Sequence, residues 1–87
     1  MADVHLPPTL PRLFADLPRR MDIDAASVRD AVDQLELRWP GLRDRLVEPG
    51  PRLRRHINVY VDRRPATLDT ALQPSSRVDF IAAISGG

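Results

Sequence analysis

The reactive side chains of this sequence are few, and their spacing keeps them apart. His5 and His56 fall in separate alternating segments with no i, i+4 partner and no cysteine anywhere in the 87 residues, so metal-ligand spacing is absent. Both read as solvated strand histidines. Ser27, Ser75, Ser76 and Ser85 lack the strand-turn-helix setting of a nucleophile, and the four glycines form no loop that could cradle a phosphate. The carboxylates lie mostly beside arginines along polar faces. What remains is main-chain chemistry: the sequence ends Ser85-Gly86-Gly87, directly after an apolar alternating segment. An end of this kind lacks side chains at its last two positions and reaches about 10–13 Å from its root over three or four residues. It can thread a narrow channel in another protein and present the Gly87 α-carboxylate there.

Such a tail needs a rigid base, and the pattern of apolar residues supplies the elements of one. Val4 and Leu6 alternate with Asp3 and His5 until Pro7-Pro8 stop the strand. Thr9 to Pro18 holds Leu10, Leu13, Phe14 and Leu17, consistent with a helical turn tucking apolar side chains under the domain. Met21 and Ile23 alternate with Arg20, Asp22 and Asp24, a second strand. Ser27 can cap a helix, with Asp30 three residues on completing a capping-box-like pair. Val28, Ala31, Val32, Leu35 and Trp39 then recur at spacings of three and four, an amphipathic helix of about three turns. Trp39 reads as a core aromatic closing the helix end. Pro40-Gly41 ends it, and Leu42 and Leu46 suggest one more short helical turn before the Pro49-Gly50-Pro51 break.

Arg55 to Asp62 is the strongest strand, with Ile57, Val59 and Val61 on one face and His56, Asn58 and Tyr60 on the other. Asp62-Arg63-Arg64-Pro65 reads as a turn, Thr67 to Leu72 as either an edge strand or a helical turn, and Pro74-Ser75-Ser76 as another turn. In Arg77 to Ile84, Val78 and Phe80 point inward against Arg77 and Asp79, and the alternation breaks at Ile81. The order describes an α+β domain, one main helix across one face of a mixed four- to five-stranded sheet, the opposite face open to solvent or a partner.

Composition narrows the function. All 13 positive side chains are arginine, and with 12 acidic residues the net charge is only +1. The absence of lysine excludes Schiff-base and P-loop chemistry on this chain. The near-balance of charge argues against nucleic-acid binding. Arg52-Leu53-Arg54-Arg55 and Arg63-Arg64 would gather into one basic patch at the sheet's edge, a solvated face or a dock for an acidic partner surface. An N-terminus of Met1-Ala2-Asp3-Val4-His5-Leu6-Pro7-Pro8 has neither the basic start nor the apolar run of a signal peptide, and no stretch approaches a membrane span, so a cytoplasmic protein is expected.

The helix Ser27 to Pro40, the strand His56-Ile57-Asn58-Val59-Tyr60-Val61-Asp62 and the end Val78-Asp79-Phe80-Ile81-Ala82-Ala83-Ile84-Ser85-Gly86-Gly87 together resemble the MoaD/ThiS-type ubiquitin-like sulfur carriers over essentially the whole chain. Asn58-Val59-Tyr60-Val61-Asp62, and Leu35-Glu36 after Asp33-Gln34, are most similar to the CysO-type carriers of actinobacterial cysteine biosynthesis. Pro74-Ser75-Ser76 departs from the Asp-Gly-Asp turn common in the family, and Ala82-Ala83 from a proline often found before the tail.

The resemblance implies a ubiquitin-like β-grasp domain over residues 1–84 and a flexible Gly-Gly tail over residues 85–87. It implies a protein co-substrate with no bound cofactor or metal. An E1-like adenylyltransferase using ATP and Mg would activate Gly87, and a sulfur donor would convert it to a thiocarboxylate. The acceptor would be a PLP-dependent cysteine synthase or a thiazole-synthase-like enzyme, with a JAMM-type metalloprotease releasing the product in the cysteine route. Gly86 and Ser85 would thread the partner's channel, and Ile81, Ile84, Tyr60 and Arg55 would dock it; core packing is the plainer role for the two isoleucines. Thiamine thiazole, molybdopterin or a secondary metabolite are alternative destinations for the sulfur. A ubiquitin-like protein modifier or a purely structural binding domain is the alternative class.

Overall fold

In a computed structural model describing residues 1–83, β1 (Ala2–His5) and β2 (Arg20–Ile23) form an antiparallel pair, joined through a 3-10 turn at Leu10–Arg12. Ile84, Ser85, Gly86 and Gly87 lie outside the described residues. The prolines end β1 as expected, but the turn that follows buries only Leu10 and Leu17 fully, while Leu13 is 54% exposed. A single 3-10 turn presents too narrow a face to shelter every apolar residue of the segment.

The helix α1 (Val28–Arg38) begins at Ser27, whose Oγ accepts from the Asp30 N–H at 3.1 Å. Asp30 in turn accepts from the Ala26 N–H at 3.0 Å, one residue upstream of the group a capping box would engage. Val28, Ala31, Val32 and Leu35 form the buried stripe, as their spacing requires. Trp39 closes the helix half-buried against the core, its indole N–H donating to the Ala15 carbonyl at 3.2 Å. A second helical turn, α2 (Leu42–Leu46), buries Leu42 and Leu46 completely.

Gly41 starts α2 with φ of 97°, a conformation costly for any residue with a Cβ. The Glu36 carboxylate accepts from the Gly41 N–H at 2.9 Å and the Arg43 N–H at 2.9 Å. Those N–H groups, Gly41's first, hold the Glu36 carboxyl below the usual glutamate range. Between α2 and the strong strand lies a hairpin the sequence reading did not include: β3 (Val47–Glu48) pairs antiparallel with β4 (Arg52–Leu53) around Pro49-Gly50-Pro51. Strands of two residues carry no readable period.

β5 (Ile57–Val61) follows its predicted facing, with Ile57 and Val59 buried. Asp62 and Arg63, at φ of 50° and 70°, form a two-residue reversal, so Arg64 and Pro65 belong to β6 (Arg64–Ala66) and not to a turn. Positive φ at both loop positions matches the hairpin twist, but the Asn-Gly or Asp-Gly pair that normally announces it is missing. Pro65 is tolerated because β6 is an edge strand. Thr67 to Leu72 is turn, with only Ala71 bridging to Ser27.

β7 (Arg77–Ala82) completes a five-stranded mixed sheet in the order β2-β1-β7-β5-β6. It lies parallel to β1 and antiparallel to β5. Val4, Val78, Val59 and Phe80 line the face covered by α1, where the core sits. No helix among the described residues is long and apolar enough to cross a membrane.

Candidate functional site

β7 is the central strand, held on both sides, and its last described neighbour Ala83 donates to the His56 carbonyl at 2.6 Å. The described chain therefore ends beside β5, on the central strand of the sheet and four residues before Gly87. Register decides what surrounds that exit. Val78 and Phe80 are buried, so Ile81 falls on the open face, 48% exposed. The backbone alternation expected to break at Ile81 continues through it; only the polarity changes. Ile81 is thus an exposed apolar side chain beside the exit, with Asn58 opposite it on β5.

The next row of the open face reads Arg20, His5, Asp79, Tyr60 and Pro65 across the five strands. Its charges pair with the row beyond, Asp3 and Arg77. Arg77 Nε lies 3.0 Å from Asp79 Oδ2, and Arg20 Nε lies 2.9 Å from Asp3 Oδ1. His5 Nε2 is 3.0 Å from Asp3 Oδ2, within ion-pair range but not aligned for a hydrogen bond. His5 first, then Arg20, hold the Asp3 carboxyl below its usual range, and Asp79 raises the Arg77 guanidinium above its own. Neutralised in pairs, these groups leave Ile81 as a large exposed hydrophobic on the face, with the half-buried Tyr60 one row away.

Arg55 is exposed in the turn leading into β5, next to His56 and so beside the exit. Arg63 and Arg64 lie at the other end of β5, so the single basic patch expected from the arginine runs is two separate patches. A strand of five residues places them roughly 16 Å apart. Arg52 is withdrawn from either patch by its 2.9 Å pair with Glu48. Arg54 donates from Nε to the Asp44 carbonyl and, with Arg45 and His56, lines a cleft of about 620 Å³. On the other side of the exit, between the end of β7 and Pro7-Pro8, lies a cleft of about 810 Å³. That cleft was not expected from the sequence, although the Pro7-Pro8 pair that ends β1 is its visible cause.

Of the residues proposed from sequence, the structure brings Ile81 and Arg55 to the exit and sets Tyr60 one row away on the same face as Ile81. Ile84, Ser85, Gly86 and Gly87 lie outside the described residues. No group of three or more His, Cys, Asp and Glu able to hold a metal occurs among the described residues.

This geometry recurs in known proteins. A chain of the Amycolatopsis orientalis BexX/CysO complex is 26% identical over the whole of both chains, with a TM-score of 0.85. Haloferax volcanii SAMP1 is 29% identical over 99% of this chain and 98% of its own, with a TM-score of 0.76. Mycobacterium tuberculosis CysO shares the fold at 22% identity, covering 97% of this chain and 100% of its own, with a TM-score of 0.82. No curated protein matches the chain by sequence. The ThiS family profile matches residues 13–87, a span that takes in α1, all of β5 and β7 and the Gly86-Gly87 end. With that span matched and the β-grasp sheet in place, the chain belongs to the ThiS family of ubiquitin-like proteins.

Proposed function

We propose that this chain is a sulfur carrier that works through the α-carboxylate of Gly87. A carboxylate oxygen attacks the α-phosphorus of ATP on an E1-like enzyme, with Mg, giving the acyl-adenylate and releasing pyrophosphate. A sulfur donor then attacks the acyl carbon and AMP leaves, so the terminal C–O bond is replaced by C–S. The product thiocarboxylate is ionised near neutral pH and nucleophilic through sulfur, as thiolates are. It passes that sulfur to a biosynthetic enzyme. The chain serves as co-substrate, and the catalytic groups belong to its partners.

The observation that carries this reading is the pairing of a Gly-Gly end with a central strand, β7, that exits beside the exposed Ile81 in a member of the ThiS family. A rigid root and an apolar dock fix where a side-chain-free tail enters a partner. Cysteine biosynthesis is the destination we favour, supported by full-length likeness to a chain of the BexX/CysO complex. A PLP-dependent enzyme would take the sulfur there, and a JAMM-type metalloprotease would release the cysteine. The second reading is protein modification, favoured by 27% identity to a Haloferax volcanii small archaeal modifier protein 1.

The test is intact mass after incubation with the activating enzyme of the same organism, ATP and sulfide. The carrier reading expects one oxygen replaced by sulfur at Gly87 and no change when Gly87 is deleted. Absence of exchange in the full chain, or exchange in the deletion variant, refutes it. Isopeptide-linked adducts on lysines of other proteins would favour the modifier.

A further inference from the structure

Arg54 is fastened at three points. Its N–H donates to the Leu46 carbonyl at 3.0 Å, its carbonyl accepts from the Ile57 N–H at 2.9 Å, and its Nε donates to the Asp44 carbonyl. Backbone and side chain are thus fixed together, half-buried against α2. Among the described residues neither the terminal nitrogens of Arg54 nor those of Arg45 meet a carboxylate.

Both arginines line, with His56, the cleft of about 620 Å³ whose apolar wall is Leu13 and Phe14. Phe14 packs against the core beside Gly41, where an added Cβ would stand 3.6 Å from the ring, so the wall is in place before any ligand arrives. Leu13, its neighbour, stands exposed in water. Asp44 is the one acidic residue on the lining. Two guanidiniums outnumber it, and Arg12 and Arg55, next in sequence to Leu13 and Arg54, are exposed as well.

We propose that this cleft is a docking site for an extended acidic segment of another protein. The segment sets a large apolar side chain against Leu13 and Phe14 and its flanking carboxylates on Arg45 and Arg54. The site stands on the cleft's own chemistry and is independent of the carrier reading. Charge complementarity selects the carboxylates: a guanidinium takes a carboxylate through two parallel N–H donors, and the Arg54 fork is ordered in advance. The apolar wall selects against a compact anion, which would leave Leu13 in water. A second copy of this chain lacks the segment. Apart from Leu13 itself, its exposed large hydrophobics among the described residues are Met1, Leu37 and Ile81. The carboxylates nearest them in sequence, Asp3, Glu36 and Asp79, are engaged by Arg20, the Gly41 N–H and Arg77.

The test is an amide-resolved NMR titration of the full chain with the synthetic peptide acetyl-Glu-Asp-Phe-Asp-Glu-amide, at about 0.15 M salt to screen distant charges. Saturable shifts are expected at Leu13, Phe14, Arg45 and His56, with none at Tyr60 or Ile81. A peptide with Gln and Asn in place of the acids should bind about tenfold more weakly, and so should one with Ala in place of Phe. Arg45→Gln should weaken binding by about tenfold, and Leu13→Ser by about 3- to 10-fold, each with the thermal midpoint of the parent chain. Arg63→Gln with Arg64→Gln, a larger loss of charge at the far end of β5, should leave binding within about twofold.

Shifts that gather equally at Arg63 and Arg64, or affinity that survives replacement of Phe by Ala, overturn the proposal by showing undirected charge attraction. Saturation of the same amides by inorganic phosphate at comparable concentration overturns it in favour of a compact anion. No saturable shift up to roughly 10 mM peptide overturns it outright. Because the readout is binding at the cleft, thiocarboxylate formation at Gly87 succeeds or fails separately.

Discussion

Ile81→Ala separates docking from folding, because the side chain is divided almost evenly between the two. Burying a whole isoleucine side chain is worth roughly 1.5–3 kcal/mol. With Ile81 48% exposed, about 0.7–1.4 kcal/mol remains to be gained when a partner covers it. Truncation should therefore lower kcat/KM for Gly87 activation by about 3- to 10-fold. The half already packed against the sheet costs a similar amount in stability, a fall in Tm of roughly 3–11 °C for a domain of this size. Phe80→Ala, next in sequence but 2% exposed, calibrates the folding arm, with an expected loss of about 3–5 kcal/mol. The assay is thiocarboxylate formation by mass spectrometry well below either Tm, alongside thermal unfolding of each variant. Activation by Ile81→Ala within twofold of the parent chain, with the fold intact, would refute the assignment of Ile81 to docking. A collapse of stability as large as that of Phe80→Ala would refute the register that places it outward.

Charge and capping give two more expectations. Arg54→Glu with Arg55→Glu should slow association with the activating enzyme by about tenfold at low salt, whereas Arg63→Glu with Arg64→Glu, an equal charge change at the far end of β5, should not; stopped-flow binding at several ionic strengths distinguishes them. Glu36→Ala should cost about 1–2 kcal/mol by uncapping α2, read from denaturant unfolding at pH 7. Because the folded Glu36 carboxyl sits below its ordinary value of 4.5, its contribution is complete above that pH and is lost as pH falls through the lower folded value. Stability curves of the parent chain and of Glu36→Gln should therefore approach each other as pH falls below 4.5 and converge once it passes the lower folded value.

Period and punctuation made most of the fold legible in advance. α1 shows a four-residue apolar stripe behind a serine cap, and β5 alternates without interruption, so local pattern and final burial agree. Three features were illegible because their causes are not periodic. The β3–β4 hairpin is two residues per strand, the reversal at Asp62-Arg63 lacks glycine, and the two arginine runs are close in sequence but separated by the length of a strand. Leu13, apolar yet exposed, shows the same limit, since its side chain follows a single turn and not a face.

By itself the sequence determined that a Gly-Gly end without cysteine or lysine follows an alternating strand, and that any chemistry at Gly87 is main-chain chemistry. These are properties of composition and order, independent of neighbours. Only the tertiary structure decided that this strand is central, that Ile81 faces outward near its end, and that the β1–β7 ladder stops at His5↔Asp79. Each depends on which strands pair and in what register, and register is set by long-range burial of Val4, Val78 and Phe80 in one shared core, an outcome no local window contains.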